Sequence, residues 1–341
     1  ATSIASLCKK SDNPFCNATI MLSEFDLIAK YFTKPVRNAS LGIGDDCALL
    51  TPVPGTQIAI STDMLVSGTH FFADTDPRQL GHKSLAVNLS DLAAMGAEPV
   101  AFTLALSLPK PDEAWLKSFS EGMFSLANIC HCELIGGDTT KGPLNICITV
   151  FGRIPLGQAL RRDRAEYGDD IWVSGTIGDA RLALAHCRNE ITLDKHDFNA
   201  VSPRLHMPIP RIMLGMALRK NANSALDISD GLLGDLTHIL DASGVGATLN
   251  TDSLPISPVL ARQTEDWRML CALTGGDDYE LCFTAPPSKR SRVLEASART
   301  GVPVTRIGFI ENEPGLRLRN SRGEPVTFSH HSFDHFLAGS K

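Results

Sequence analysis

Residues 80–96 read LGHKSLAVNLSDLAAMG, from Leu80 to Gly96. Leu85, Leu89 and Leu92 recur at helical spacing, which predicts a helix. Ser84, Asn88 and Asp91 fall at i, i+4 and i+7 and form one polar stripe on an otherwise apolar helix. A buried helix with such a stripe faces something polar, and a metal ion or a phosphate fits. Upstream, residues 57–61 (QIAIS) read as a strand that runs into Thr62 and Asp63. Downstream, residues 100–108 read as a second strand. The segment is a βαβ-like unit with aspartates at a strand end and on the helix.

Working outward, the same kind of acidic motif recurs along the whole chain. The motifs are Gly42-Ile43-Gly44-Asp45-Asp46, Ser61-Thr62-Asp63, Asn88-Leu89-Ser90-Asp91, Gly136-Gly137-Asp138-Thr139-Thr140, Asp227-Ile228-Ser229-Asp230-Gly231 and Gly275-Gly276-Asp277-Asp278-Tyr279-Glu280. Surface aspartates usually mix with Lys and Glu; these are framed by Gly, Ser and Thr within apolar flanks. Two carboxylates about 4 Å apart repel by roughly 4 kcal/mol at an effective dielectric of 20. If the motifs converge, cations must hold them together. An all-oxygen donor set points to Mg²⁺, bound through carboxylates and substrate phosphates.

The remaining pattern predicts two α/β domains. Residues 112–130 read as a helix, residues 132–135 as a strand leading into Gly136-Gly137-Asp138, and residues 145–152 as another strand. Pro155 with Gly157 marks the domain boundary. A second unit follows: strand 171–174, a turn at 175–178, helix 179–187, and a connector punctuated by Pro203, Pro208 and Pro210. Then come helix 214–219, strand 225–228, a helix up to Ala242 stopped by Gly244, strand 279–284, helix 290–300 and strand 305–310. The expected division is 1–20 as a disordered extension, 21–154 as the N-terminal domain and 155–341 as the C-terminal domain. Met21 reads as a natural start that opens a helical pattern through Phe25, Leu27, Ile28, Tyr31 and Phe32. The halves echo each other: Gly-x-Gly-Asp-Asp answers Gly-Gly-Asp-Asp, and Leu-Ser-Asp-Leu answers Ile-Ser-Asp-Gly.

Bulk properties narrow the function. The 341 residues are 43% hydrophobic and 21% charged, enough for a sizeable core. A net charge of −6 gives no basic footprint for nucleic acid. No 18-residue apolar run exists, so no membrane span is expected. The nine cysteines form no CxxC pair; Cys130-His131-Cys132 lacks a second cluster, and reduced thiols in the cytoplasm are the simpler reading. The Asn17-Ala18-Thr19 triplet is of a kind that arises by chance. There is no Gly-x-x-x-x-Gly-Lys-Ser/Thr loop, no protein-kinase motif set and no Gly-x-Ser-x-Gly elbow. What remains is phosphoryl or nucleotide chemistry run by aspartates and metals.

Each residue also has a simpler reading. Asp46, Asp63, Asp91, Asp138, Asp227 and Asp230, taken singly, are turn residues and helix caps; taken together, the metal reading wins. In the Asp45-Asp46 and Asp277-Asp278 pairs, one side chain is expected to point away. Ser61, Thr62 and Ser229 offer oxygens near phosphate or cap strand ends. Gly136 and Gly137 allow backbone N–H groups close to a phosphate, or merely make a turn. Arg162, in an exposed-looking Arg161-Arg162-Asp163-Arg164 run, is a phosphate clamp or a solvated side chain. His70 alone is more often structural.

The motifs, in this order from about Met21 to the C-terminus, resemble the thiamine-monophosphate kinase family. The resemblance implies two α/β domains (an α+β protein), the N-terminal one forming a β-barrel with its partner in a homodimer and the C-terminal one an α/β sandwich. It implies ATP as co-substrate, thiamine monophosphate as acceptor and several Mg²⁺ ions. Asp46, Ser61, Thr62, Asp63, Asp91, Asp138, Asp227 and Asp230 match metal positions, with Asp46, Asp91, Asp138 and Asp230 central to catalysis. Gly137, Asp138, Arg162 and Ser229 match nucleotide contacts; His70, Asp277 and Phe333 match substrate contacts. The family usually carries Glu where this chain has Asp277, and the missing methylene withdraws the carboxylate by about 1.5 Å. Two rivals stand beside this reading. An ATP-using synthetase of the wider superfamily would want a reactive cysteine in a Gly-rich N-terminal segment or at the C-terminus, where this chain has neither. A non-catalytic nucleotide or metal sensor need not keep every acidic position.

Overall fold

The structure is a computed structural model that describes residues 23–329. The expected extension at 1–20 and Phe333 lie outside the described residues. The described residues open with a short helix α1 (Glu24–Leu27) that widens into a π-turn over Ile28–Phe32, burying Tyr31 and Phe32.

The first sheet contains β1 (Thr56–Val66), β2 (Glu98–Leu108), β3 (Glu133–Lys141) and β4 (Asn145–Pro155) in the order β1-β4-β2-β3. β4 runs antiparallel to β1 and β2, while β3 runs parallel to β2. The four strands do not close into a barrel within the chain; β1 and β3 are its two edges. Along β4 every second residue is buried, so Ile146, Ile148, Val150 and Ile154 line the covered face. That face carries α2 (Pro77–Ala94) and α3 (Glu113–Ile129). Each helix starts at an aspartate cap: Asp76 accepts from the Gln79 N–H at 3.0 Å, Asp112 from Trp115 at 3.1 Å.

The second sheet contains β5 (Asp170–Ser174), β6 (Ser224–Asp227), β7 (Gly246–Asn250), β8 (Leu281–Ala285), β9 (Val304–Glu311) and β10 (Gly315–Arg319) in the order β10-β7-β9-β5-β8-β6. Its helices are α4 (Asp179–Cys187), α5 (Lys195–His206), α6 (Ile212–Leu218), α7 (Leu232–Ser243), α8 (Pro258–Ala261), α9 (Glu265–Thr274) and α10 (Arg290–Thr300). α7 lies on one face with Leu232, Leu236, Ile239 and Leu240 buried. On the other face Phe283, Ala285 and Trp172 join the core that also holds α2, α3 and the first sheet. The two halves therefore share one hydrophobic core, with α2 between them.

Three expectations change. The Gly136-Gly137-Asp138 segment is not a loop beyond a strand but the middle of β3, because it keeps pairing with β2 as far as Lys141. Pro203 does not punctuate a connector; it sits inside α5, a helix capped by Asp194, which accepts from Asp197 at 2.7 Å. β7, α8, α9 and β10 escape the sequence reading altogether. Elsewhere the α2 helix starts three residues before Leu80, at Pro77, while α4 and α10 span the expected residues.

Candidate active site

The polar stripe of α2 meets β1. Its order is built from within: the Ser84 hydroxyl donates to the Leu80 carbonyl at 2.7 Å, and the Asn88 amide donates to the Ser84 carbonyl at 3.0 Å. Asn88 Oδ1 is thereby turned toward β1, where it accepts from the Asp63 N–H at 2.9 Å. One turn on, Asp91 Oδ2 accepts from the Ser61 hydroxyl at 2.5 Å. The spacing of two residues on the strand puts Ser61 and Asp63 on the same face, toward the helix.

The second half delivers the other carboxylates. β6 ends at Asp227, 5% exposed, and the chain turns through Ser229 and Asp230 into α7. These groups crowd one another. Burial, then repulsion from Asp91 and Asp230, pushes Asp63 up to about 6. Burial, then repulsion from Asp91, pushes Asp227 up to about 7. Asp91 is raised by burial, against the Ser61 hydroxyl and the Arg162 guanidinium, which lower it. Aspartates more than 130 residues apart, Asp91 and Asp227, thus lie within electrostatic reach. Such a buried cluster of like charges takes up protons or stays ionised beside a cation.

Two elements of the site escaped the sequence reading. Asp235, on the first turn of α7, accepts the backbone N–H groups of Ser229, Asp230 and Gly231 on one oxygen at 3.0, 3.0 and 3.1 Å. It fixes the acidic turn, and burial still pushes it up to about 7. The available signal was its place four residues after Gly231, where a carboxylate can reach back to the helix start. Lys83, on α2, is the second: its ammonium lies 2.8 Å from Asp277 Oδ1.

The Asp277–Glu280 segment divides as the doublet reading expects. Both oxygens of Asp278 accept from the Gly178 N–H at 2.9 Å. Glu280, fully buried, takes the Ser174 hydroxyl at 2.5 Å, Arg204 at 2.5 Å and Arg211 Nε at 2.7 Å. These two are scaffold. Asp277 and Tyr279 lie beside the cluster: the Tyr279 hydroxyl donates to Asp277 Oδ1 at 3.2 Å, and Tyr279 is raised by burial and by the charges of Asp277, Asp63 and Asp227.

The other candidates are placed less centrally. Asp45 and Asp46 are exposed in a loop, where the Asp46 N–H donates to Asp45 at 2.8 Å. Thr62 points to the opposite face of β1 and meets the Thr149 hydroxyl at 2.8 Å. Arg162 leaves its neighbours, Arg161 and Asp163, to pair at 2.5 Å, and its own charge acts on Asp91. His70 accepts from the Val66 N–H at 3.0 Å in the turn after β1. Ser229 accepts the Asp277 N–H on its carbonyl at 2.9 Å. Asp138 is exposed on β3, opposite Ala105. With β4 and β2 between, β3 lies about 14 Å from β1 at ~4.8 Å per strand. A Cβ on Gly137 would come 1.9 Å from the Leu104 carbonyl, so close backbone packing already demands glycine there.

Two sheets with their helices and a cluster of aspartates drawn from both define the class, and sequence comparison agrees. The family model for the AIR synthase related protein N-terminal domain matches residues 44–154, and that for the C-terminal domain matches residues 166–320. The chain is 48% identical over 320 residues to a thiamine-monophosphate kinase of Salmonella typhimurium, covering 92% of this chain and 98% of that protein. The crystal structure of a thiamine-monophosphate kinase from Stenotrophomonas maltophilia superposes with a TM-score of 0.79 at 47% identity, over 85% of this chain and 92% of that one. A structure of AaThiL complexed with AMPPCP and TMP gives a TM-score of 0.73 at 29% identity, over 84% and 89%. The chain belongs to the thiamine-monophosphate kinase family, a family of enzymes within the AIR synthase related proteins.

Proposed function

We propose that this enzyme transfers the γ-phosphoryl group of ATP to the phosphate of thiamine monophosphate, giving thiamine diphosphate and ADP. The observation that carries the reading is the convergence of Asp63 and Asp91 with Asp227 and Asp230, from both halves of the chain, within electrostatic reach of one another. The relatives' names supply the substrates.

Mg²⁺ fits this donor set, because the buried carboxylates offer only oxygen and repel one another. Asp63, Asp91, Asp227 and Asp230, with Ser61, would hold it; Asp46, Thr62 and Asp138 are further ligands implied by the family pattern. Bound there, Mg²⁺ supplies charge neutralisation for the phosphates. The chain's own work is alignment. Arg162, whose charge reaches Asp91, and Ser229, beside Asp230, are the residues we assign to the nucleotide, and Asp277 and His70 those we assign to the acceptor; Phe333 is assigned the same task from the family resemblance alone. A phosphate monoester has its second pKa near 6, so the acceptor is largely dianionic and needs no general base. That suits a cluster of carboxylates and direct in-line transfer.

We infer further that the enzyme is a homodimer. β1 and β3 are open edges, and Ile58, Ile60 and Met64 stand 52%, 62% and 53% exposed on the face of β1 turned from the helices. Pairing β1 with β3 of a second copy closes a barrel over that face and brings that copy's Gly137 and Asp138 alongside β1. The domains divide at 155, and the free cysteines among the described residues suit a cytoplasmic enzyme.

Exposure to γ-labelled ATP tests the route. Label is expected in thiamine diphosphate and none in precipitated protein; a stable labelled enzyme contradicts direct transfer.

A further inference from the structure

Lys83 is the one lysine or arginine among the described residues that is buried, at 5% exposure. Desolvating an ammonium is costly, and a methionine or leucine would pack on α2 without that cost. Its ion pair with Asp277 therefore needs a reason. Tyr279 addresses the same carboxylate oxygen, Oδ1, that Lys83 does. Both approach Oδ1, with His206 also within reach of the pair's charges, and the Asp277 side chain stays 28% exposed, so part of the carboxylate can still meet a ligand.

The backbone is arranged to the same end. Asp277 and Tyr279 have φ of +67° and +50°, the left-handed region that side chains other than glycine rarely adopt. They are held there by hydrogen bonds to Ser229 at 2.9 Å and to Ile228 at 2.8 Å, in the turn that carries Asp230. Asp278 and Glu280 anchor the alternate positions in the core. A strained segment, locked on both sides, presents one half-exposed carboxylate pinned by a buried cation.

We propose that Lys83 is a positioning residue for the phosphoryl acceptor: it fixes Asp277 through Oδ1 so that the exposed part of the carboxylate meets the acceptor's cationic heteroaromatic ring. The inference rests on the reading of this enzyme as a kinase of thiamine monophosphate. It also gives the shorter Asp277 side chain a role, since the tether decides where the carboxylate ends.

Steady-state kinetics of the full-length enzyme with Mg-ATP and thiamine monophosphate test it, with thermal melting as the fold check. Lys83→Met is expected to raise the KM for thiamine monophosphate roughly tenfold, with kcat and the KM for ATP within about twofold. Lys83→Arg keeps the charge and is expected to stay within about threefold of wild type. Asp277→Asn should match Lys83→Met, and the double variant should be no worse than Asp277→Asn alone. Should Lys83→Met not fold, Lys83→Gln, which keeps a donor but not the charge, takes its place. An unchanged acceptor KM, a fall confined to kcat, or additive losses in the double variant overturn the inference while leaving the kinase reading intact. Absence of turnover by the wild-type enzyme overturns both.

Discussion

At the scale of the residue, the site is a set of carboxylates held against their own repulsion. Asp63 shows this best: buried beside Asp91 and Asp230, it is pushed up to about 6. A charge kept in such a place weakens the metal-free protein, and the proposed Mg²⁺ site gives a reason to keep it. Asp63→Asn is therefore expected to raise the melting temperature in EDTA by roughly 2 °C while abolishing the rise that Mg²⁺ gives the wild type. Calorimetry of both proteins, with and without Mg²⁺, checks this; a lower metal-free melting temperature for the variant contradicts it. The aspartates were legible in the sequence because glycine and serine frame them. Lys83 and Asp235 were not, since a single charge on a helix looks the same whether it faces water or a buried partner. Nor can a doublet such as Asp277-Asp278 say which side chain turns inward; here the Gly178 N–H decides it.

At the scale of the element, α2 carries the site and is held by backbone contacts that only glycine permits. A Cβ on Gly122 of α3 would come 1.9 Å from the Arg78 carbonyl, and one on Gly81 of α2 would come 2.0 Å from that of Phe119. The two helices touch backbone to backbone. Gly122→Ala should accordingly lose roughly 2–3 kcal/mol in urea unfolding, although alanine is the better helix former. A neutral or stabilising result would show that the contact yields. The helical spacing of Leu85, Leu89 and Leu92 made this helix readable, as apolar periodicity usually does. α5 was hidden because its sequence is polar and contains Pro203, and a helix held by tertiary packing leaves little periodic trace. β3 was cut short for a related reason: Gly136-Gly137 reads as a turn locally, and only pairing with β2 makes it strand.

At the scale of the whole molecule, the mixed α/β character was legible in the sequence, but not the way the two sheets share a core. The pairs that matter, Asp63 with Asp230 and Asp91 with Asp227, join distant segments, and no local pattern records them. The proposed second copy lies on the same scale. Ile60 is 62% exposed on the outer face of an edge strand, a position a monomer would fill with a polar residue. Ile60→Glu is expected to shift the sedimentation from dimer to monomer and to cut turnover along with it. An unchanged sedimentation coefficient would place the interface elsewhere.

The measurement that bears most directly on the whole account is product formation. Purified enzyme with Mg-ATP and thiamine monophosphate is expected to yield thiamine diphosphate and ADP in equal amounts, to stop when EDTA is added, and to give nothing from free thiamine. Nucleotide binding with no thiamine diphosphate formed would contradict it, and would leave the fold with another task.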